Sequence, residues 1–144
     1  MVIIAAVDQT EPNDDVVREG RRLADAFGAP LHVVHALDRS TFIELERGQV
    51  EDEGETVPLE EVRGMGQTIA SEALERIGVE GTPVGLVGEP AEEIIDYADR
   101  NDASHIVLGG RSRSPVGKAL FGSVTQSVLL NTSRPVVSVH NEEA

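Results

Sequence analysis

Five short apolar runs rich in Val and Ile recur along the chain, separated by longer and more polar segments. Within each run the apolar residues are mostly continuous, without the alternation of a strand that has one face in water. Continuous runs of this length are typical of strands covered on both faces, as in a parallel sheet. The pattern predicts strands at Val2–Val7, Leu31–Leu37, Pro83–Val87, His105–Leu108 and Pro135–Val139.

Three of the segments between these runs carry signals of an amphipathic helix. In the first two, apolar positions recur at helical spacing until Gly28 and Gly78, and glycine suits a helix C-cap. In the third, Pro90 suits the first helical position, and the glutamates after it favour the positive end of the helix dipole. The acidic connection from Asp38 to Pro58 is expected to be irregular.

A fourth helix is expected to begin at Gly122 or Ser123, because Ser123 and Gln126 have the spacing of a capping box. Strands and helices then alternate along the chain. This order predicts a three-layer α/β fold, in which a five-stranded parallel sheet is flanked by four helices in a Rossmann-like arrangement. Neither a linker nor an internal repeat divides the sequence, so we expect one domain over residues 1–144.

The chain is strongly acidic, with 26 Asp and Glu against 12 Lys and Arg and a formal net charge of −14. Such a charge opposes binding to nucleic acid or to anionic membranes, both of which need a basic surface. The chain has no cysteine and four scattered histidines, so we expect neither disulfides nor a metal site. The first apolar run is too short to cross a membrane, and we expect a cytoplasmic protein.

One region departs from this acidity, since no Asp or Glu occurs between residues 103 and 141. The overall composition would place about seven carboxylates there. Instead, Arg111, Arg113 and Lys118 lie among glycines and serines between the fourth strand and the fourth helix. In open α/β sheets, ligands bind beyond the carboxyl ends of the strands, and a helix N-terminus favours anions. The loop therefore predicts a phosphate-binding site.

Two standard phosphate-binding motifs are missing from the sequence. A Walker A loop requires Ser or Thr after its lysine, but Lys118 is followed by Ala119. A dinucleotide-binding fingerprint requires glycines directly after the first strand, and the segment VDQTEPND contains none. The loop must therefore belong to another class of site.

The loop has the frame G-x2-G-x9-G-[ST], with Gly109 first, Ser112 in place of the second glycine, and Gly122 and Ser123 last. In this frame the chain resembles the nucleotide-binding universal stress proteins, a family with an adenine nucleotide alpha hydrolase-like fold. The resemblance extends to Val7 and Asp8, to the HA pair in the second strand, and to the VGEPAEEI and RPVVSV segments.

The resemblance implies that Asp8 lies by the adenosine moiety, that backbone around Ala36 lines the adenine pocket, and that the glycine motif surrounds ribose and phosphates. Arg111 is added on its charge alone. The ligand-binding residues predicted on these grounds are Val7, Asp8, Ala36, Gly109, Arg111, Ser112, Gly122, Ser123 and Val124.

Several of these residues, and the other candidates, also have a purely structural interpretation. Asp8 is suited to starting a turn, and Gly122 and Ser123 are common at helix starts. Arg111 and Arg113 could pair with surface carboxylates, which contributes little stability. The four histidines are expected to be satisfied within the core or at its edge.

The resemblance implies a protein that binds ATP or another adenine nucleotide, with or without Mg²⁺, and acts as a ligand-dependent signalling module in a stress response. It also implies a homodimer joined through the last strand. Members of the family are not known as efficient catalysts, so the resemblance implies at most slow ATP hydrolysis, and no catalytic residue is identified. Two alternatives stay open. One is a dimeric interaction module whose basic loop binds a small anion or an acidic partner. The other is a phosphohydrolase in which Asp8 or a loop serine assists the attack of water on a Mg²⁺-bound phosphate.

The acidic composition also suggests a halophilic protein, in which concentrated salt screens the repulsion between carboxylates. Lys118 is the only lysine, as expected if surface cations have been replaced. We expect the melting temperature to rise between low salt and molar KCl, which thermal unfolding monitored by circular dichroism can measure. A melting temperature that does not change with salt would rule the hypothesis out.

Overall fold

The computed structural model describes residues 1–8, 13–38, 40–42, 58–110 and 122–140. These residues contain one five-stranded sheet in which all neighbouring strands are parallel, in the order β3-β2-β1-β4-β5. The strands are β1 Val2–Ala6, β2 Leu31–Leu37, β3 Thr82–Val87, β4 Ala103–Gly110 and β5 Val136–His140.

Helices connect the strands. They are α1 Asp14–Phe27, α2 Leu59–Ile77, α3 Pro90–Arg100 and α4 Ser123–Asn131. The predicted C-caps are confirmed, because Gly28 and Gly78 have φ values of 64° and 77°. Residues 40–42 are also helical, within a connection expected to be irregular, while residues 43–57 lie outside the described part. Among the described residues, no helix combines the length and the hydropathy needed to cross a bilayer.

Two apolar clusters cover the two faces of the sheet, so the predicted three-layer α/β fold is confirmed. On one face, Ile3 and Val33 pack with apolar residues of α1 and α2. On the other, Ile4 and Val34 pack with residues of α3 and α4. The five residues of β1 are all buried, as expected for the central strand of a parallel sheet.

Several strand bounds differ from the sequence prediction by one or two residues. The first strand ends at Ala6 rather than Val7, and the fourth extends to Gly110 rather than ending at Leu108. Gly109 and Gly110 continue the fourth strand because they pair in register with the last residues of β5. The glycine motif therefore begins inside the sheet and not in a loop.

Each of the four histidines has an interaction partner, as predicted. His32 Nδ1 lies 2.7 Å from the Tyr97 hydroxyl, and burial lowers the pKa of His32 while raising that of Tyr97. His105 stacks on Phe27 and contacts a neighbouring serine hydroxyl. His35 Nδ1 lies 2.7 Å from the carbonyl of Val7, the residue that follows β1. His32 and His35 have partners in different parts of the structure, so they do not form a chelating pair.

Helix α2 lies unusually close to β2 and β3. A Cβ atom on Gly85 would overlap the Arg63 carbonyl and lie 2.6 Å from the Gln67 nitrogen. A Cβ on Gly66 would lie 2.8 Å from the His35 carbonyl. Both contacts involve backbone atoms, which cannot rotate away, so the two glycines set the distance between this helix and the sheet.

We expect Gly85→Ala to destabilise the protein by about 3 kcal/mol, because the helix must move away from the sheet. Gly64→Ala is the control, because Gly64 lies in α2, the helix that packs against Gly85. Nothing lies within 4 Å of a Cβ at Gly64, so this change should stabilise the helix by about 0.5–1 kcal/mol. Urea unfolding of the three proteins measures both effects. Equal midpoints for Gly85→Ala and the wild type would contradict the close approach.

Candidate functional site

A cavity of about 470 Å³ opens at the carboxyl edge of the sheet. It lies between the ends of β1, β2 and β4 and the starts of α1, α3 and α4. Seven residues predicted to bind a ligand line this single cavity. They are Val7, Asp8, Ala36, Gly109, Gly122, Ser123 and Val124.

Two predicted ligand-binding residues, Arg111 and Ser112, lie outside the described residues, as do Arg113 and Lys118. Their part in the site stays a prediction. Within the described ranges, no group of three or more His, Asp or Glu side chains is arranged to hold a metal ion.

The start of α4 presents backbone N–H groups to the cavity. Gly122 is the N-cap, no side chain of the described residues caps the first turn, and that turn contains no acidic residue. The Thr125 hydroxyl, which is buried, donates to the Gly109 carbonyl at 2.8 Å and so ties this turn to the end of β4. An uncapped helix start without carboxylates is well suited to an anion.

The capping box predicted for this helix is wrong. Gly122 has the extended dihedral angles of an N-cap, so Ser123 is the first helical residue and not the cap. A serine at that position cannot cap the third following amide as a capping box requires. The consequence is that the first N–H groups of α4 have no side-chain partner within the described helix.

The start of α1 is held against the end of β1 by two hydrogen bonds. The Asp8 N–H donates to Asn13 Oδ1 at 2.9 Å, and Asn13 Nδ2 donates back to the Asp8 carbonyl. Asn13 is the N-cap of α1, but its side chain makes no cap bond because it holds Asp8 instead. Asp14 and Asp15 occupy the first turn and line the cavity, so this helix start is acidic.

The third helix start at the cavity is capped by its own residue. Glu89 is the N-cap of α3, and its carboxylate accepts from the Glu92 N–H at 2.8 Å. Pro90 is the first helical residue, as predicted. Of the three described helix starts that border the cavity, α4 alone combines an uncapped first turn with the absence of carboxylates.

The ends of β1 and β2 are linked through a side chain. The Val7 N–H donates to the Val34 carbonyl at 2.9 Å, as in a regular ladder. The Val7 carbonyl lies 2.7 Å from His35 Nδ1. Because a carbonyl can only accept, His35 carries its proton on Nδ1. Alternate residues of a parallel strand direct their backbone groups to opposite sides, so Ala36 directs its N–H and carbonyl toward the same side as Val34. These groups lie where β1 has ended.

Among the cavity-lining residues that sequence reasoning missed are Asn13, His35 and Thr125, whose side chains make hydrogen bonds at its edge. Asn13 could have been found as an N-cap candidate before α1. Thr125 lies two residues after the glycine motif, on the predicted fourth helix. His35 belongs to the HA pair of the family resemblance, but its bond to the Val7 carbonyl left no local signal, because the two residues are 28 positions apart.

The family model described as the universal stress protein family matches residues 1–140. The chain belongs to this family. The predicted family assignment is thus confirmed, whereas the finer assignments to a nucleotide-binding subclass and to a halophilic type stay predictions.

A universal stress protein of Mycolicibacterium smegmatis is 46% identical over 57 residues. This match covers 40% of the chain and 42% of that relative's length. The chain thus spans less than half of this relative.

Two solved structures from Archaeoglobus fulgidus are similar over nearly the whole chain. A universal stress protein is 31% identical with a TM-score of 0.65, and the match covers 95% of this chain and 96% of that one. A universal stress protein in complex with dAMP is 29% identical with a TM-score of 0.60, covering 95% and 94%. Both have the three-layer fold described above.

Proposed function

We propose that this universal stress protein binds ATP or a related adenine nucleotide in the cavity and acts as a ligand-dependent module in a stress response. The observation that carries the proposal is the uncapped, carboxylate-free start of α4 facing the cavity. Backbone N–H groups and the positive end of the helix dipole together stabilise a phosphate. A cytoplasmic location and the absence of nucleic-acid partners are part of the proposal.

The opposite side of the cavity suits the adenine base. Ala36 offers a backbone N–H and a carbonyl, which match the N1 acceptor and the amino donor of adenine. Ile94 and Leu108 are buried apolar residues that also line the cavity, and can contact the faces of a purine. A volume of about 470 Å³ is within the range of small-molecule sites.

Asp8 lies between these two regions and is exposed to the cavity. In the proposal it accepts hydrogen bonds from ribose hydroxyls, which a carboxylate does well. The bound dAMP in the similar Archaeoglobus fulgidus protein supports an adenine nucleotide as the ligand class. It also shows that such a protein can take a monophosphate.

We propose binding rather than efficient catalysis, with at most slow hydrolysis. The site offers backbone N–H groups for an anion and apolar residues for a purine. Asp8 is the candidate residue for activating a water molecule. Participation of Mg²⁺ stays a prediction, and its coordination would draw on the phosphates as well as on protein oxygens.

We further propose a homodimer formed by pairing of the β5 edge. Strand β5 is at one end of the sheet and pairs with β4 on its other side. The Ile106 N–H donates to the Pro135 carbonyl, so Val137 faces β4 while Ser138 directs its N–H outward. An apolar strand whose outer side pairs with no described strand favours pairing with a second strand.

The start of α4 gives a sharp test of nucleotide binding. Ser123→Asp places a carboxylate in its first turn. This carboxylate should stabilise the helix by interacting with the positive end of its dipole, but should repel a phosphate. We expect isothermal titration with ATP, ADP and AMP to show an affinity loss of about tenfold or more, while the melting temperature does not fall. Ser123→Asn is the neutral control of the same shape and should stay within about threefold of the wild type.

Equal affinities for the wild type and Ser123→Asp would contradict a phosphate at this helix start. Ser112→Gly restores the second glycine of the family motif. If neither the wild type nor this variant shows binding heat or thermal stabilisation at millimolar nucleotide, the proposed function is wrong. A module that binds another anion is then favoured. Mass spectrometry of ligand released by denaturing freshly purified protein identifies any nucleotide that is retained.

The edge strand gives a test of the dimer. Ser138→Pro removes an outward N–H, which an edge strand tolerates, so the protein should fold but become monomeric. Val137→Pro removes an N–H that faces β4 and should unfold the strand. Sedimentation equilibrium and circular dichroism measure both properties. A wild-type monomer at micromolar concentration, or a dimer of Ser138→Pro, would contradict pairing through β5.

A further inference from the structure

The Val7 carbonyl has an unusual donor for its place in the sheet. In a regular parallel ladder, a strand residue that donates to Val34 would accept from the N–H two residues further on, at Ala36. In the structure, the pairing register of β1 with β2 ends at Ala6 and Val34. Instead of the Ala36 N–H, the imidazole of His35 donates to the Val7 carbonyl, with Nδ1 at 2.7 Å.

We propose that His35 is a positioning residue of the nucleotide site. Its Nδ1–H donates to the Val7 carbonyl in place of the Ala36 N–H, so the β1–β2 ladder ends there. The Ala36 N–H then remains available for the ligand. The inference deepens the proposed function and rests on it for the ligand that uses this amide. The ending of the ladder itself does not depend on any ligand.

The surroundings of His35 favour this role over a purely structural one. The side chain is half-buried and lines the cavity, on the same sheet face as Leu31 and Val33. Those neighbours are buried apolar residues that contact α1 and α2. The imidazole donates a hydrogen bond to the Val7 carbonyl, which an apolar residue at this position would not make.

The same bond helps to place Asp8. The Val7 carbonyl and the Asp8 N–H belong to the same peptide group, and this N–H donates to Asn13 Oδ1. One peptide group is therefore held from both sides, by His35 on its oxygen and by Asn13 on its nitrogen. The proposed contacts to adenine and to ribose thus depend on one fixed peptide.

The test compares two substitutions of similar shape. His35→Leu removes the donor, whereas Asn in His35→Asn can present Nδ2 near the position of the lost Nδ1. In His35→Leu the Val7 carbonyl should recruit the Ala36 N–H, so hydrogen exchange of the Ala36 amide should slow by about tenfold or more. His35→Asn should restore fast exchange. His32→Leu, on the opposite face of the same strand, is the control and should leave this exchange unchanged.

Nucleotide affinity is the second measurement. We expect isothermal titration with AMP to show a loss of about tenfold for His35→Leu and recovery to within about threefold for His35→Asn. Thermal unfolding should show that His35→Leu is at least as stable as His35→Asn, which separates positioning from folding. Unchanged Ala36 exchange in His35→Leu would overturn the proposal.

The two measurements keep this proposal distinct from the proposed function. If the wild type binds no nucleotide but Ala36 exchange responds as expected, the proposed function fails while the ladder-ending role of His35 stands. If nucleotide binds and His35→Leu binds it as tightly as the wild type, the positioning role is wrong and the proposed function stands.

Discussion

The position of β1 at the centre of the sheet is the constraint on which the site depends. Its neighbours are β2 and β4, so the chain leaves it toward one edge of the sheet and later returns on its other side. Connections that run in opposite directions leave a crevice beyond the carboxyl ends of the central strands. Every residue of β1 is buried, which fixes the floor of that crevice. The cavity therefore follows from strand order and not from any single side chain.

Three helix starts meet at this crevice, and their charges divide it into different regions. The start of α1 has two aspartates and that of α3 is capped by a glutamate, while that of α4 has neither. The same backbone geometry therefore offers an anion one favourable position instead of three. The absence of carboxylates between residues 103 and 141 is the sequence counterpart of this arrangement.

Much of the fold could be predicted from the sequence, because buried parallel strands and glycine C-caps leave strong local patterns. Gly28, Gly78 and Pro90 have the helix-end positions that their chemistry predicts. The errors occur where a distant partner decides the geometry. The fourth strand is longer than predicted because β5 pairs with Gly109 and Gly110, and the predicted capping box fails because Gly122 takes the cap position. The link between His35 and Val7 spans 28 positions, which no local pattern can report.

The bond from Thr125 to the Gly109 carbonyl has a structural consequence. Gly109 pairs directly with Val139 of the outermost strand, so the first turn of α4 and the margin of the sheet are joined through one hydroxyl and one ladder pair. The turn that faces the crevice and the outermost strand are therefore only two contacts apart, both made by Gly109.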